Sequence, residues 1–301
     1  MKEIKHIKVE KEMKVVDLVE QMGEIGFTAN KINKASRVLK KMIDDKECTV
    51  FFGLAGAMVP GGMKQIILDI LDRVDVFVTT GANMTHDLIE ALGHHHYHHC
   101  GEHFDDEELN EKGLDRIYNV LMKNEVYEDM EKFFEGNWEE INKTKTIKEF
   151  LWKLGELLDK DDCILTKCWK KKIPIFCPAI ADSGIGLMIL GKKSKSSEEK
   201  FDLPTFEDMK EIIDIAWTAK KSGVLYVNGG FSKNFIQQSL QFSKGAEYGV
   251  QISTATPYDG GSSGAPLAEG ISWGKMNKES DFVDVICDAT VVLPLIIGSV
   301  L

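Results

Sequence analysis

The sequence predicts an α/β fold: a doubly wound, mostly parallel sheet with a Rossmann-like dinucleotide site and a helical insertion. Three observations carry that prediction. Short apolar runs end in glycine or other small residues, stretches of helical period separate them, and a charged, helix-rich block interrupts the alternation between about residues 104 and 172. Short continuous apolar runs mark strands buried on both faces, and alternation of strand with helix is the pattern of a parallel sheet covered on both sides.

Taken in order, the expected strands are TVFFGLAG (49–56), VDVFVTTG (74–81), IPIFCPA (173–179), GVLYVNGG (223–230), YGVQIST (248–254) and VDVICDAT (283–290). The helices between them include PGGMKQIILDILDRV, MTHDLIEALG and FEDMKEIIDIAWTAKKSG, the last expected to stop at Gly223. Inside the charged block, FDDEELNEKGLDRIYNVL and TIKEFLWKLGELLDK read as amphipathic helices. We expect the block to insert against the sheet within a single domain, 1–301, and GKKSKSSEEK (191–200) to be an exposed loop.

Composition narrows the class. With 301 residues and 43% hydrophobic content the chain can bury a full core, which excludes disorder. Its formal charge, 37 − 48 = −11, repels nucleic acid and suits small polycations or a basic protein surface. Six cysteines form no spacing framework and the start, MKEIKHIKVEKEMK, has no apolar core, so a reducing cytoplasm is expected. No run reaches the roughly 18 apolar residues that cross a bilayer, and no membrane association is predicted.

Of the candidate chemistry, GHHHYHHC (93–100) stands out, with histidines at 94, 95, 96, 98 and 99. Neighbouring side chains of an extended segment point apart, whereas a metal needs three or four converging ligands, so a polar or pH-sensitive surface is expected and no metal site. GLMILGKK (186–193) has Walker-like spacing but lacks the final Ser or Thr and fills its loop with apolar residues, so it is no phosphate loop. Small residues at five strand ends point instead to a dinucleotide: Thr79-Thr80-Gly81, Asp182-Ser183-Gly184, Gly229-Gly230, Ser253-Thr254-Ala255 and Asp288-Ala289. There backbone amides can approach phosphates, and Asp182 and Asp288 can accept ribose hydroxyls.

The densest segment is YDGGSSGAPLAEGISWGK (258–275), expected over the ligand crevice because it follows the strand ending at Thr254. With 271–275 extended, Trp273 and Lys275 face the same way. A lysine against an aromatic wall is a candidate nucleophile, and a solvated surface lysine is the alternative. Asp259 and Glu269 are candidate partners for an amine.

VNGGFSKNFI, STATPYDGGSSGAPLAEGISWGK and VDVICDATVVLPLI together resemble the deoxyhypusine synthase family. TVFFGLAGAMVPGGMKQII, VDVFVTTGANMTHDLIEALG and IPIFCPAIADSGIG match it in the same order, from about residue 10 to the C-terminus. The variants GLAGAMVPGG, TGANMTHD and SKNFIQQ are similar to the archaeal and bacterial branches. The resemblance implies an NAD-dependent transfer of the aminobutyl group of spermidine to one lysine of the translation initiation factor 5A precursor. It proceeds through an imine on an enzyme lysine, in a homotetramer whose sites are shared across a subunit interface.

By motif that lysine is Lys275. Trp273 would wall the amine channel, and Glu269 with Gly260, Gly261, Ser262 and Ser263 would line it. Gly56, Ala57 and Met58 in the 56–60 turn, with Thr80, Gly81, Asp182, Gly229, Thr254, Ala255, Asp288 and Ala289, would form the NAD side. Four positions depart from the animal pattern. Asn234 stands where that pattern has a histidine, Leu187 where it has an acid, and His86 and Ser262 also replace acids. These residues are assigned to amine recognition, with His86 a candidate for proton transfer. The departures leave open the same chemistry with another donor or acceptor (agmatine, or a free diamine giving homospermidine), or a non-catalytic NAD- or polyamine-binding protein.

Overall fold

The computed structural model describes residues 3–101, 103–195 and 201–301. In chain order its elements are α1 (Val15–Met22), α2 (Phe27–Asp44), β1 (Cys48–Leu54), α3 (Lys64–Leu71), β2 (Val76–Val78), α4 (Gly81–Ala91), β3 (Tyr97–His98), α5 (Asp106–Glu111), β4 (Leu114–Ile117), β5 (Val120–Lys123), α6 (Val126–Ile141) and α7 (Ile147–Leu158). They continue with α8 (Ile164–Lys171), β6 (Ile175–Phe176), α9 (Gly184–Lys195), α10 (Thr205–Thr218), β7 (Lys221–Val227), α11 (Phe231–Leu240), β8 (Ala246–Ser253), α12 (Glu269–Ser272), β9 (Met276–Ile286) and α13 (Ala289–Gly298). The chain divides into two compact units. The first holds the residues up to Ala55, Asp69–Thr79 and Phe206–Leu301, and the second holds Gly56–Leu68 and Thr80–Thr205.

The first unit contains five parallel strands in the order β2-β1-β7-β8-β9. These are five of the predicted runs, and their Val, Ile, Phe and Leu side chains are almost all buried. Helices cover both faces. A Cβ on Gly223 would strike Met42 of α2, and one on Gly53 would meet Ile236 of α11. Gly53 pairs with Tyr226, three residues beyond Gly223, so the two helices lie on opposite sides of the sheet. Gly223 therefore belongs to β7 and is not a helix stop, because α10 already ends at Thr218. From β1 the chain steps outward to β2 on one side and to β7 and beyond on the other. The ends of β1 and β7 thus form the switch point at which open α/β sheets bind ligands. There Asn228, with φ +60, donates its side-chain amide to the Ala55 carbonyl at 3.0 Å and its backbone N–H to Ile252 at 2.7 Å, tying three strand ends together.

The second unit is helical around Phe134, Phe150 and Phe201, with β3-β5-β4 forming a small antiparallel sheet. TIKEFLWKLGELLDK is helical as expected, over α7. FDDEELNEKGLDRIYNVL is not one helix: α5 ends ahead of Gly113 (φ +65), and the hairpin β4-β5 follows, turning at Tyr118 (φ +53). The two-residue Tyr118-Asn119 turn and the alternation in LDRIYNVLMK suit a hairpin, and the helical period fails beyond the glycine. Residues 191–195 of GKKSKSSEEK close α9 instead of forming a loop, and 196–200 lie outside the described residues. No described helix is long and apolar enough to cross a membrane. All six cysteines are free.

Candidate active site

In the first unit the segment between β8 and β9 is held down residue by residue. Gly264 fits so closely beneath Thr256 that a Cβ would lie 1.8 Å from its carbonyl oxygen, and Gly229 meets Ser263 in the same way, at 2.2 Å from its Cα. Lys233, on α11 and 1% exposed, donates to the carbonyls of Ser262 at 2.7 Å and Ala265 at 2.6 Å. From the sheet below, Gln251 donates to the Ala265 carbonyl at 3.0 Å, and Asp284 accepts from the Leu267 N–H at 3.1 Å. Gln251 and Asp284 are register neighbours on β8 and β9, continuing a row that begins with Gly53 and Tyr226. Burial pushes the Lys233 ammonium down to about 8, with Asp284 and Glu269 opposing the fall and Lys275 adding to it. Burial likewise raises the Asp284 carboxyl, against the Leu267 hydrogen bond and the pull of Lys233. Sequence reasoning did not select Lys233, Gln251 or Asp284; nothing in their spacing announces a polar clamp.

Beyond the clamp, Lys275 and Trp273 meet as expected, but by a different backbone route. Residues 271–275 are not extended: α12 ends at Ser272, Trp273 stays helical (φ −94) and Gly274 turns left-handed at φ +71. That turn is a helix stop which glycine adopts without a Cβ penalty. It returns the Lys275 N–H to the Gly270 carbonyl at 2.8 Å and places Nζ 5.0 Å from the centre of the Trp273 ring. Lys275 is 8% exposed, while Trp273 is 57% exposed, so a buried amine meets a ring that is itself open to solvent. Glu269, on the same short helix, is exposed.

The register also locates Lys275 along the sheet. Its carbonyl accepts from Ala246 N–H at the start of β8, and Met276 pairs with Ala246. The segment therefore begins over the strand ends and finishes at the opposite edge. Seven residues of β8 separate those levels, about 20 Å at the rise of a parallel strand. Gly229, Thr254, Ala255, Asp288 and Ala289 lie at the far end, and Ser263 packs against Gly229 there. Asn234 is exposed, one residue beyond the clamping lysine.

The remaining predicted residues belong to the second unit. Thr80 caps α4 and Asn83 accepts from the N–H groups of Met58 and Val59, so Asn83 gathers Met58, Thr80 and Gly81 into one turn. Ala57 is half-buried beside Gly56 in that turn. A Cβ on Gly81 would collide with Ser183, while Asp182 and Leu187 are exposed at α9. His86 hydrogen-bonds through Nδ1 to Nε2 of His96 at 2.9 Å, and Nδ1 of His96 meets Glu90 at 2.8 Å. Glu90 also pairs with Lys64 at 2.6 Å. Burial and then the neighbouring His96 push the His86 imidazole down to about 4, Glu90 pulling the other way. The GHHHYHHC stretch is thus not simply a polar loop, since His96 is buried in this chain and His94 meets Asp129 at 3.0 Å. Among the described residues no three His, Cys, Asp or Glu converge as metal ligands.

The residues fit a dinucleotide at some of the expected positions. Gly81 and Gly229 owe their small size to Ser183 and Ser263 of this chain. Gly56 (φ +77), by contrast, is exposed, and α11 opens at Gly230 with no side-chain cap, leaving amides for an anion. Asp288 caps α13 through Oδ1 alone, which leaves Oδ2 for a hydroxyl.

Residues 17–300 match the family model "Deoxyhypusine synthase". The chain belongs to the deoxyhypusine synthase family. A protein named probable deoxyhypusine synthase 1 of Methanosarcina acetivorans is 37% identical over 301 residues, covering 99% of this chain and 94% of its own. A structure from Entamoeba histolytica bearing the deoxyhypusine synthase name aligns with a TM-score of 0.66 and 20% identity, over 98% of this chain and 96% of that one. The ternary complex of AgrE with ornithine and NAD+ shares the fold at a TM-score of 0.51 and 13% identity, over 98% of this chain but 34% of that one. The deoxyhypusine synthase family is one of transferases, and the chain is an enzyme of that family.

Proposed function

We propose that this chain transfers the 4-aminobutyl group of spermidine to a lysine of the translation initiation factor 5A precursor, with Lys275 as the amine that carries the group as an imine. The observation that carries this reading is the near-complete burial of Lys275 beside Trp273, at the end of a segment clamped by Lys233, Gln251 and Asp284. A primary amine that holds a carbon chain covalently must be fixed in direction and screened from competing water, and these contacts do both. Glu269, exposed on the short helix that Trp273 closes, offers a carboxylate for a polyamine ammonium. NAD, when bound, supplies reversible removal and return of hydride. In the first unit the open N-terminus of α11 and Asp288 would hold it.

Two copies of the chain are part of the proposal. The backbone of Lys275 lies level with the start of β8, away from the strand-end residues, and in this proposal the site joins Lys275 of one copy to the strand ends of another. The test is incubation with NAD and spermidine or agmatine, followed by borohydride reduction and mass analysis of the Lys275 peptide. An aminobutyl adduct from spermidine is expected, and it should be lost when the factor is added before the borohydride. Aminobutyl groups recovered only on small amines would replace the factor by a free diamine as acceptor. Absence of any adduct would point to a protein that binds without catalysis.

A further inference from the structure

The proposed function leaves the end of GHHHYHHC unused, at the edge of the small sheet of the second unit. There β3 pairs with β5, Tyr97 with Leu121 and His98 with Val120, and the His99 N–H reaches the Asn119 carbonyl at 2.9 Å. Asn119 sits in the β4-β5 turn, which Arg116 fastens by donating to the Tyr118 carbonyl at 3.0 Å. The pairing brings three polar side chains together. Nδ1 of His98 lies 3.8 Å from the Cys100 sulfur, which is equally far from the His98 carbonyl, and Nε2 of His98 lies 3.4 Å from the Asn119 side-chain amide. A nucleophile beside a base that a third group orients is the arrangement that activates cysteine. It does not depend on where the proton rests, because thiol with imidazole and thiolate with imidazolium are two forms of one pair.

The neighbouring groups are engaged elsewhere. Nδ1 of His99 accepts from the Gly101 N–H at 2.9 Å, and its ring packs on Phe104 with centres 4.6 Å apart. The Arg116 guanidinium lies 4.7 Å from the Phe104 ring centre and pairs with Asp106 at 2.5 Å. Cys100 is exposed, whereas Cys48, Cys163, Cys168 and Cys177 are buried and Cys287 is partly so. Burial pushes the Cys48 thiol up to about 12 and raises those of Cys163 and Cys168 as well, which keeps them protonated and inert.

We propose that Cys100 is a thiol–disulfide exchange site, at which His98 takes the thiol proton and Asn119 positions the His98 ring. The co-reactant is a low-molecular-weight disulfide. The Cys100 sulfur attacks one sulfur of that disulfide, a new S–S bond forms as the old one breaks, and the departing thiolate takes the proton from His98. Cys100 is oxidised and the leaving thiol is the reduced product, so no further electron acceptor is required. A second thiol reverses the step. Exchange at Cys100 is independent of the amine chemistry of Lys275.

The test is incubation of the intact reduced protein with oxidised glutathione at neutral pH, the adduct being followed by intact mass and located by peptide mapping. Cys100 should be modified first, and a reducing thiol should release it; modification of Cys287 or a buried cysteine at an equal rate overturns the proposal. Exposure by itself would also favour Cys100, so the deciding variant is His98→Phe, which keeps the thiol exposed. It should slow exchange at least tenfold, roughly the loss of one general base. An unchanged rate overturns the proposal. Should His98→Phe not fold, the reference is a peptide of residues 94–104, which carries His98 and Cys100 without Asn119. Exchange in the protein no faster than in that peptide overturns the proposal equally. Asn119→Ala should shift the pH profile of exchange with an unchanged melt, and an unchanged profile removes Asn119 from its positioning role.

Discussion

Two buried charges, one in each unit, do the same mechanical work with opposite sign. In the first unit Lys233 donates to two backbone carbonyls and fastens the Ser262–Ala265 turn. In the second, Asp87, 0% exposed, accepts from the N–H groups of Ile164 at 3.0 Å and Leu165 at 2.9 Å and from the Cys163 thiol, fastening the start of α8. Each is penalised by its surroundings: burial drives Lys233 down to about 8 and Asp87 up to about 6. What differs is the chain each one holds. Asp87 fastens a helix whose other contacts are a packed core, so its loss is a loss of stability. Lys233 fastens the irregular approach to Lys275, so its loss should appear in catalysis. A buried ion is therefore read by the backbone it organises, and not by its burial.

The largest effect expected is at the end of the clamp. Lys275→Ala should lower transfer by at least a thousandfold with an unchanged thermal midpoint; steady-state rates and a melt check both. Next, Asp87→Ala should cost about 2 kcal/mol through two amides and a helix start left without their acceptor, while activity per folded molecule holds. Lys233→Met should reverse that pattern. A neutral side chain of similar length keeps the packing but frees the Ser262 and Ala265 carbonyls, so kcat should fall about tenfold or more with a smaller change in denaturant midpoint. Equal losses of stability and rate in both variants would erase the distinction.

The pH dependence sharpens it. The folded value for Lys233 lies below the ordinary 10.5, so between about 8 and 10.5 the unfolded chain binds more protons and stability rises with pH. For Asp87 the folded value lies above 3.8, so between about 6 and 3.8 the folded chain binds more protons and stability rises as pH falls. The lowered His86 opposes this, since its stabilisation is complete above 6.5 and is lost as pH falls toward 4. Urea titrations across pH should find the alkaline rise missing in Lys233→Met. They should find the acid rise exposed in His86→Asn, where Asp87 titrates without opposition. The smallest effect belongs to Glu269→Gln, an exposed group expected to raise the spermidine KM only a few-fold.

Much of this protein was written in local pattern. Apolar runs of strand length placed four of the five parallel strands of the first unit within a few residues, because a strand buried on both faces leaves little choice of side chain, while β9 begins at Met276, seven residues ahead of its apolar run. Motif order supplied the family and Lys275. The hairpin β4-β5 escaped because Leu, Ile and Val inside a charged block satisfy a helical period as readily as a two-residue one until Gly113 breaks it. Gly223 escaped because a glycine after a helix reads as a stop, whereas here it admits Met42 against a strand.

The sequence by itself determined the alternation of strand and helix, the transferase family and the lysine beside a tryptophan, since each is a property of neighbouring residues. Tertiary structure alone decided which charges are buried and what they hold. Lys233 reaches Ala265 across 32 positions and Asp87 reaches Leu165 across 78, distances over which no local period carries information. It also decided that Lys275 stands at the edge of the sheet away from the strand ends, because register is set by pairing with β8 and not by anything within SWGK.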